Sequence, residues 1–417
     1  MSSANSTLSR FVLPTPGKRL AVRVTPDALR HIRAWHPWVY DESIVSQSHE
    51  GAAGDLAVIF DKKRNFAGIG LYDPSSPMRI RMLAQGRPTQ IDHGFWCNRL
   101  RDAVARRPSF AAGGERARDT TGYRVVHGEN DGLPGLIIDR YDTTLVIKLY
   151  SAAWFAHLAD LVAAIAEVLV PENVVLRLAR SVTVPPGAPD DATVLVGPGP
   201  EPVAFLEHGL TFESFPLTGQ KTGHFLDQRD NRHRVGLAAD GARVLDVFSH
   251  AGGFSVHAAA GGAIEVMAVD QAATALDAAS TNMSLNRSDA AVSRCRFSTR
   301  RGDAFEALDS LADAGRQYDI VVIDPPSFAP NERSIGAALN SYARLTAGGL
   351  SVLAPGGLLV QASCSSRISA DAFLDCVLAS AEGVGRPLDH IEVTGHAEDH
   401  PIDFTEGAYL KAIFAKA

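Results

Sequence analysis

Hydrophobic and polar positions alternate in three different rhythms along the chain. Between 20 and 88, short apolar runs recur at 56–60, 66–71 and 78–83, separated by turn residues. Such runs predict the strands of a small β-rich barrel. A helix is expected before them at 26–35, with Pro26 in its first turn. The turn at 61–65 (DKKRN) is a basic hairpin tip. From 91 to 107 the apolar residues Phe95, Leu100 and Val104 take helical spacing, and Arg99, Arg101, Arg106 and Arg107 form a polar face. Strands at 136–139 and 145–149, a helix at 152–169 and a Pro/Gly-rich loop or hairpin tip at 185–202 follow. These make a small α+β middle or linker domain, 89–215. Beyond 216 the rhythm becomes strand–helix alternation, with strands at 243–248, 264–269, 295–301, 318–323, 357–362 and 409–414. Helices are expected at 273–285 and 335–353. That pattern is α/β, with a largely parallel sheet.

Candidate chemistry gathers where these last strands end. Residues 244–255 (VLDVFSHAGGFS) read as a strand, a turn with two glycines and a helix. Glycines in such a turn let backbone approach a ligand. Asp270 ends the next strand, where a carboxylate accepts ribose hydroxyls. Asp303 ends the probable third strand, near the expected position of an adenine. A helix N-cap is the structural alternative for either aspartate. The turn is not Gly-x-Gly-x-x-Gly, so a pyrophosphate cradle, and with it a dinucleotide dehydrogenase, is disfavoured. A cofactor with ribose and adenine but no phosphate fits better, which points to S-adenosylmethionine.

Residues 324–327 (DPPS) follow the fourth strand directly. Two prolines fix an extended loop without backbone donors, suited to holding a planar base while Asp324 hydrogen-bonds its edge. The fifth strand runs out through Cys364, which is expected beside Asp324 over the cofactor. Cys97, Cys295 and Cys376 read as small buried thiols.

Composition narrows the class. The chain has 417 residues, of which 46% are hydrophobic and 21% charged, with no apolar run long enough for a membrane span. The Ser-rich start, 1–10, lacks the apolar core of a secretory signal. Four cysteines without metal-like spacing argue against a disulfide framework and a zinc site. These features predict a cytoplasmic protein with no metal. Charge is uneven: residues 1–120 carry a balance of +7 and the remainder −14. A basic end on an acidic body suits an anionic partner bound at that end.

Several longer stretches carry a resemblance. HPWVY at 36–40, GLYDP at 70–74, DGLPGLIID at 131–139 and, most specifically, GQKTGHFLDQRDNR at 219–232 resemble bacterial 23S ribosomal RNA methyltransferases with an N-terminal PUA domain. DPPSF at 324–328, ASCS at 362–365 and EGAYLK at 406–411 complete the match. The resemblance implies a PUA-like RNA-binding domain at 20–88. It also implies a class I methyltransferase domain with a Rossmann-like seven-stranded sheet at 216–417. The implied activity is methyl transfer from S-adenosylmethionine to C5 of a cytosine, with Cys364 as nucleophile and Asp324 at the base. Asp246, Phe248, Ser249, Gly252, Gly253, Asp270, Asp303 and Asp324 are implied to hold the cofactor. Lys221, Phe225, Asp227 and Arg229 are implied to close over it or over the RNA, and 99–118 to hold phosphates. His224 and His250 depart from the aromatic and tyrosine usual at those places. Methylation of another RNA base, such as guanine N7, and an idle RNA-binding assembly factor are the alternatives. The implied partner is large-subunit ribosomal RNA, and a homodimer is left open.

Overall fold

The computed structural model describes residues 8–417, so most of the 1–10 segment lies outside the described residues. The chain divides into two compact units. The first comprises Met1–Phe205, Ser214–His224 and Asp399–Phe404, and the second comprises Leu206–Glu213, Phe225–Glu398 and Thr405–Ala417.

The first unit opens with a six-stranded sheet. Its strands are β1 (Leu20–Val24), β2 (Trp38–Val39), β3 (Ile44–Gln47), β4 (Leu56–Phe60), β5 (Phe66–Tyr72) and β6 (Ile80–Gln85), in the order β2-β6-β5-β4-β1-β3. Helix α1 (Pro26–Arg33) begins where expected, because Thr25 caps the Ala28 amide and Pro26 presets the first turn. Helix α2 (His93–Ala105) is capped by Asp92 on the Phe95 amide. A five-stranded sheet follows: β7 (Gly122–His127), β8 (Leu136–Tyr141), β9 (Thr144–Leu149), β10 (Asn173–Leu178) and β11 (Thr193–Val196). The last of these strands lies inside the stretch expected as a loop or hairpin tip. Helix α3 (Leu158–Val168) starts later than expected, after a 3-10 turn over Ala152–His157.

The two sheets of this unit share a core. Leu56, Ile69, Leu71 and Leu83 of the first pack in one cluster with Trp96, Leu100, Val126, Trp154 and Phe155. The expected boundary at 88/89 therefore runs through continuous packing. The boundary at 215/216 falls within Ser214–His224, which packs with the first unit.

A two-stranded hairpin, β12 (Val203–Glu207) with β13 (Leu210–Ser214), leads on. The second unit carries β14 (Arg243–Val247), β15 (Glu265–Asp270), β16 (Arg296–Arg301), β17 (Tyr318–Ile323), β18 (Leu353–Ser363), β19 (Asp389–Thr394) and β20 (Lys411–Lys416). Their order is β16-β15-β14-β17-β18-β20-β19. The neighbouring pairs from β16 to β18 are parallel, and β20 runs antiparallel to both β18 and β19. Its helices are α4 (Arg229–Leu237), α5 (Gly253–Ala260), α6 (Ala273–Leu285), α7 (Ala290–Arg294), α8 (Ala304–Asp313), α9 (Ile335–Ser351) and α10 (Ala370–Gly383).

Alternate residues of the central strands serve opposite cores. Leu245, Val247, Val321, Ile323 and Leu359 pack on one side, and Val244, Val266, Ile320, Val322 and Val360 on the other. Coverage on both faces explains why these strands read as continuous apolar runs. Chain order reverses between β14 and β17, which opens a crevice at their carboxyl ends.

Candidate active site at the carboxyl ends of the second-unit sheet

The turn after β14 is held in an unusual backbone. Phe248, His250 and Gly252 all have positive φ, at 64°, 46° and 74°. Two of these are not glycine, so surrounding contacts must impose the conformation. The Ser249 amide donates to the Val269 carbonyl, and the His250 amide donates to Asp270 Oδ2 at 2.9 Å. A side chain on Gly252 would meet the Ala279 Cβ at 2.7 Å, and one on Gly253 the Arg232 side chain at 2.6 Å. Packing within the protein thus accounts for the glycines that the sequence reading assigned to ligand approach.

Asp246 is fully buried on β14. Its Oδ2 accepts from the Ser255 amide and hydroxyl, at 3.1 and 2.6 Å. Burial raises its carboxyl to about 6. Its Oδ1 and the Ser249 hydroxyl are buried and have no hydrogen-bond partner among the described residues. Unsatisfied buried polar atoms are uncommon in folded proteins, and these two leave hydrogen-bonding capacity free for water or a bound ligand. Asp270 accepts from the Ala272 amide as well as from His250. Asp303 does act as a helix cap: its Oδ1 accepts from the Phe305 and Glu306 amides, while Gln271 donates to its Oδ2. The capping alternative therefore holds for Asp303, which is also reached by Gln271, the residue after Asp270.

Asp324 follows β17 and keeps part of its surface accessible, although protein surrounds it. Burial, then the neighbouring Asp227 carboxylate, pushes its carboxyl up to about 7; the Gln228 amide and Arg232 act in the opposite direction. Gln228 donates to Asp324 at 2.9 Å, Asn231 to Gln228 at 2.7 Å, and Thr394 to Asn231 at 2.7 Å. This relay fixes the carboxyl, and sequence reading missed it, although Gln228 and Asn231 lie within the quoted 219–232 stretch. At the end of β18 Cys364 points its Sγ to the Pro325 carbonyl, 3.9 Å away. The strand exit thus brings Cys364 to the DPPS loop, as expected. Cys97 is buried, whereas Cys295 and Cys376 are half-buried with thiols pushed up by burial.

The residues expected to close over the site fare differently. Phe225 meets His250 edge-on with ring centroids 4.9 Å apart, and Asp227 accepts from the Tyr409 hydroxyl at 2.7 Å. Arg229 is fully buried, with Nε on Asp230 at 3.2 Å. Lys221 is exposed in the first unit, where its charge acts on Lys148. The arginines of α2 and of the residues just after it have partners within the protein. Arg99 donates to the Leu83 carbonyl, Arg101 pairs with Glu167, Arg106 with Asp403, and buried Arg107 with Asp131. Arg107 is thereby withdrawn from solvent, whereas Arg101 and Arg106 keep 53% and 34% of their side chains exposed.

His93 and Cys97, one helical turn apart on α2, meet Glu167 of α3. His93 Nε2 is 2.9 Å from the carboxylate and 3.3 Å from Cys97 Sγ. Arg101 holds the other carboxylate oxygen at 2.8 Å, so the cluster is satisfied by its own hydrogen bonds and ion pair. Cysteine spacing alone gave no sign of it.

Comparison with known proteins identifies the family. Residues 157–414 match an S-adenosylmethionine-dependent methyltransferase family, and residues 22–85 match a PUA-like domain. The chain is 45% identical over 401 residues to a ribosomal RNA large subunit methyltransferase of Deinococcus radiodurans, covering 95% of this chain and 97% of that one. It is 34% identical to ribosomal RNA large subunit methyltransferase I of Alteromonas mediterranea, covering 94% and 97%. Among solved structures, a methyltransferase complexed with SAH superposes with a TM-score of 0.79 at 21% identity, covering 96% of this chain and all of that one; this likeness shows the fold. S-adenosylmethionine is the cofactor of the matched family, and the unsatisfied acceptor on Asp246 suits its ammonium group. A PUA-like domain, a class I methyltransferase domain and full-length relatives together show that the chain belongs to the S-adenosylmethionine-dependent ribosomal RNA large subunit methyltransferase family.

Proposed function

We propose that this protein methylates C5 of a cytosine in large-subunit ribosomal RNA through a transient bond between Cys364 and C6. The names of its relatives support the RNA class. The observation that carries the base and the mechanism is the approach of Cys364 to the loop of Asp324, a carboxyl that titrates at about 7. Bound S-adenosylmethionine supplies an electrophilic methyl group on a sulfonium. C5 of cytosine is too weak a nucleophile to take it unaided. Cys364, as thiolate, adds to C6 and converts C5 into an enamine-like carbon. Asp324 in its acid form donates a hydrogen bond to N3 and offsets the charge gathering on the ring. As C5 takes the methyl, the sulfonium leaves as S-adenosylhomocysteine; the C5 proton then passes to water, its C–H pair re-forms the C5–C6 double bond, and the C6–Sγ pair returns to Cys364 as thiolate.

Asp246 and the Ser249–Gly253 turn hold the amino-acid end of the cofactor, Asp270 its ribose, and Asp303 its adenine. Phe225 and Asp227 border the same crevice. On the RNA side, Lys62, Lys63 and Arg64 stand exposed at the β4–β5 turn and supply part of a local basic patch.

The test is incubation of wild type and Cys364→Ala with labelled S-adenosylmethionine and ribosomal RNA from cells lacking this protein, followed by nucleoside mass spectrometry. Labelled 5-methylcytidine from wild type alone is expected. Label retained in the variant refutes the covalent step, and label in 7-methylguanosine moves the reaction to the other base. Absence of label on naked RNA and on subunits alike favours the idle binder.

A further inference from the structure

A thiol of ordinary acidity is only a few per cent thiolate near pH 7, so the reaction proposed above needs an activating group. Sequence did not identify one. The charge of Cys364 acts on two titratable groups of the second unit, Tyr342 on α9 and Lys411 at the start of β20, and Asp324 begins the loop whose Pro325 carbonyl the thiol meets. Asp324 would contribute negative charge when ionised, which opposes a thiolate. Tyr342 is a neutral phenol pushed further up by burial, and it is engaged with the hydroxyls of Ser363 and Ser365. Of these three, Lys411 is the one that brings positive charge.

We infer that Lys411 is the counter-ion that stabilises the Cys364 thiolate, a role that rests on Cys364 being the nucleophile. Three observations carry this. First, Lys411 lies opposite Ser363 in the β18–β20 ladder, one residue from Cys364. Second, its side chain is buried and its Nζ donates to the carbonyls of Ser365 at 2.5 Å, Ile368 at 2.6 Å and Tyr409 at 3.3 Å. Three acceptors require three N–H groups, which an ammonium has and a neutral amine lacks. The cage therefore selects the charged form, although burial draws the amine down to about 8. Third, no carboxylate pairs with Lys411 among the described residues. Cys364 is the titratable group whose charge acts on it, and that action raises the amine's pKa. A buried cation without a carboxylate is costly, and an adjacent anion relieves that cost.

Charge and proton balance follow. The Sγ proton leaves to solvent, and Lys411 keeps its three protons throughout. The thiolate pair forms the Sγ–C6 bond, and the same pair returns to sulfur on elimination. Lys411 therefore acts on attack and on departure without being an acid or a base. It is a positioning residue, since two of its three hydrogen bonds also fasten the loop that carries Cys364.

The experiment is the pH dependence of iodoacetamide alkylation, read at each cysteine by peptide mass spectrometry on the full chain. Wild type, Lys411→Met and Lys411→Arg are compared. At pH 7, wild-type Cys364 is expected to react faster than the half-buried Cys376. Lys411→Met should slow Cys364 by on the order of tenfold or more, the effect of removing one adjacent opposite charge. The difference should fade near pH 10, and Lys411→Arg should restore most of the rate. An unchanged profile in Lys411→Met, with a native circular dichroism spectrum, overturns the inference. If that variant does not fold, the wild-type profile decides: a Cys364 midpoint at or above that of Cys376 overturns the inference equally. The thiol profile needs no turnover, so a methylating Cys364→Ala enzyme would remove the mechanism while leaving this measurement intact.

Discussion

Replacing Asp324 by asparagine should abolish methyl transfer and yet stabilise the fold at alkaline pH. Asn keeps the acceptor that Gln228 binds and removes a charge that burial and Asp227 disfavour. The carboxyl titrates at 3.8 when unfolded and at about 7 when folded. Ionised Asp324 thus costs nothing well below pH 4, costs progressively more between pH 4 and 7, and costs its full amount above pH 7. Three units correspond to a ceiling of about 4 kcal/mol. Relaxation and the side chain's partial access to water reduce this to about 1–2 kcal/mol. For a unit of this size, that is a rise of about 2–8 °C in Tm. Thermal unfolding of the full chain followed by circular dichroism at pH 5 and pH 8 tests the prediction. The increment should be at least twice as large at pH 8. A pH-independent increment, or a lower Tm at pH 8, would refute the reasoning that burial raises this carboxyl.

Three further outcomes are expected. Asp270→Ala removes the acceptor that holds the His250 amide, and calorimetry should show S-adenosylmethionine affinity falling tenfold or more; unchanged affinity removes Asp270 from the site. Arg107→Met leaves Asp131 buried beside a lost guanidinium, which should cost about 3–5 kcal/mol in denaturant unfolding. The slope of RNA affinity against salt should stay unchanged in that variant if it folds, because Arg107 is buried. Wild-type affinity for ribosomal RNA should fall steeply with salt, since a local basic patch on an acidic chain must carry it; a flat dependence would exclude that patch.

The methyltransferase half was legible because its strands are covered on both faces and therefore stand out as apolar runs. Helix 273–285 was read with the bounds it has in the structure. The exposed edge strand β19 went unread, since solvent on one side leaves it without an apolar run. Strand β11 was hidden for another reason: Pro and Gly flank its four residues closely enough to mask a strand.

Local chemistry of the sequence determined the parts of the site that depend on strand ends: Asp246, Asp270, Asp324 and Cys364 each follow or end a strand, so chain order alone brings them to one edge of a parallel sheet. Tertiary structure decided everything that depends on partners far along the chain. The arginines between 99 and 107 read as one polar face, and the fold gives them separate partners in Leu83, Glu167, Asp403 and Asp131. Lys411 read as the end of a motif until β20 paired with β18 and set it among three carbonyls beside Cys364. Residue type and spacing reveal which groups can ionise. Only packing determines which charge meets which, because burial and counter-charges come from segments that the sequence does not bring together.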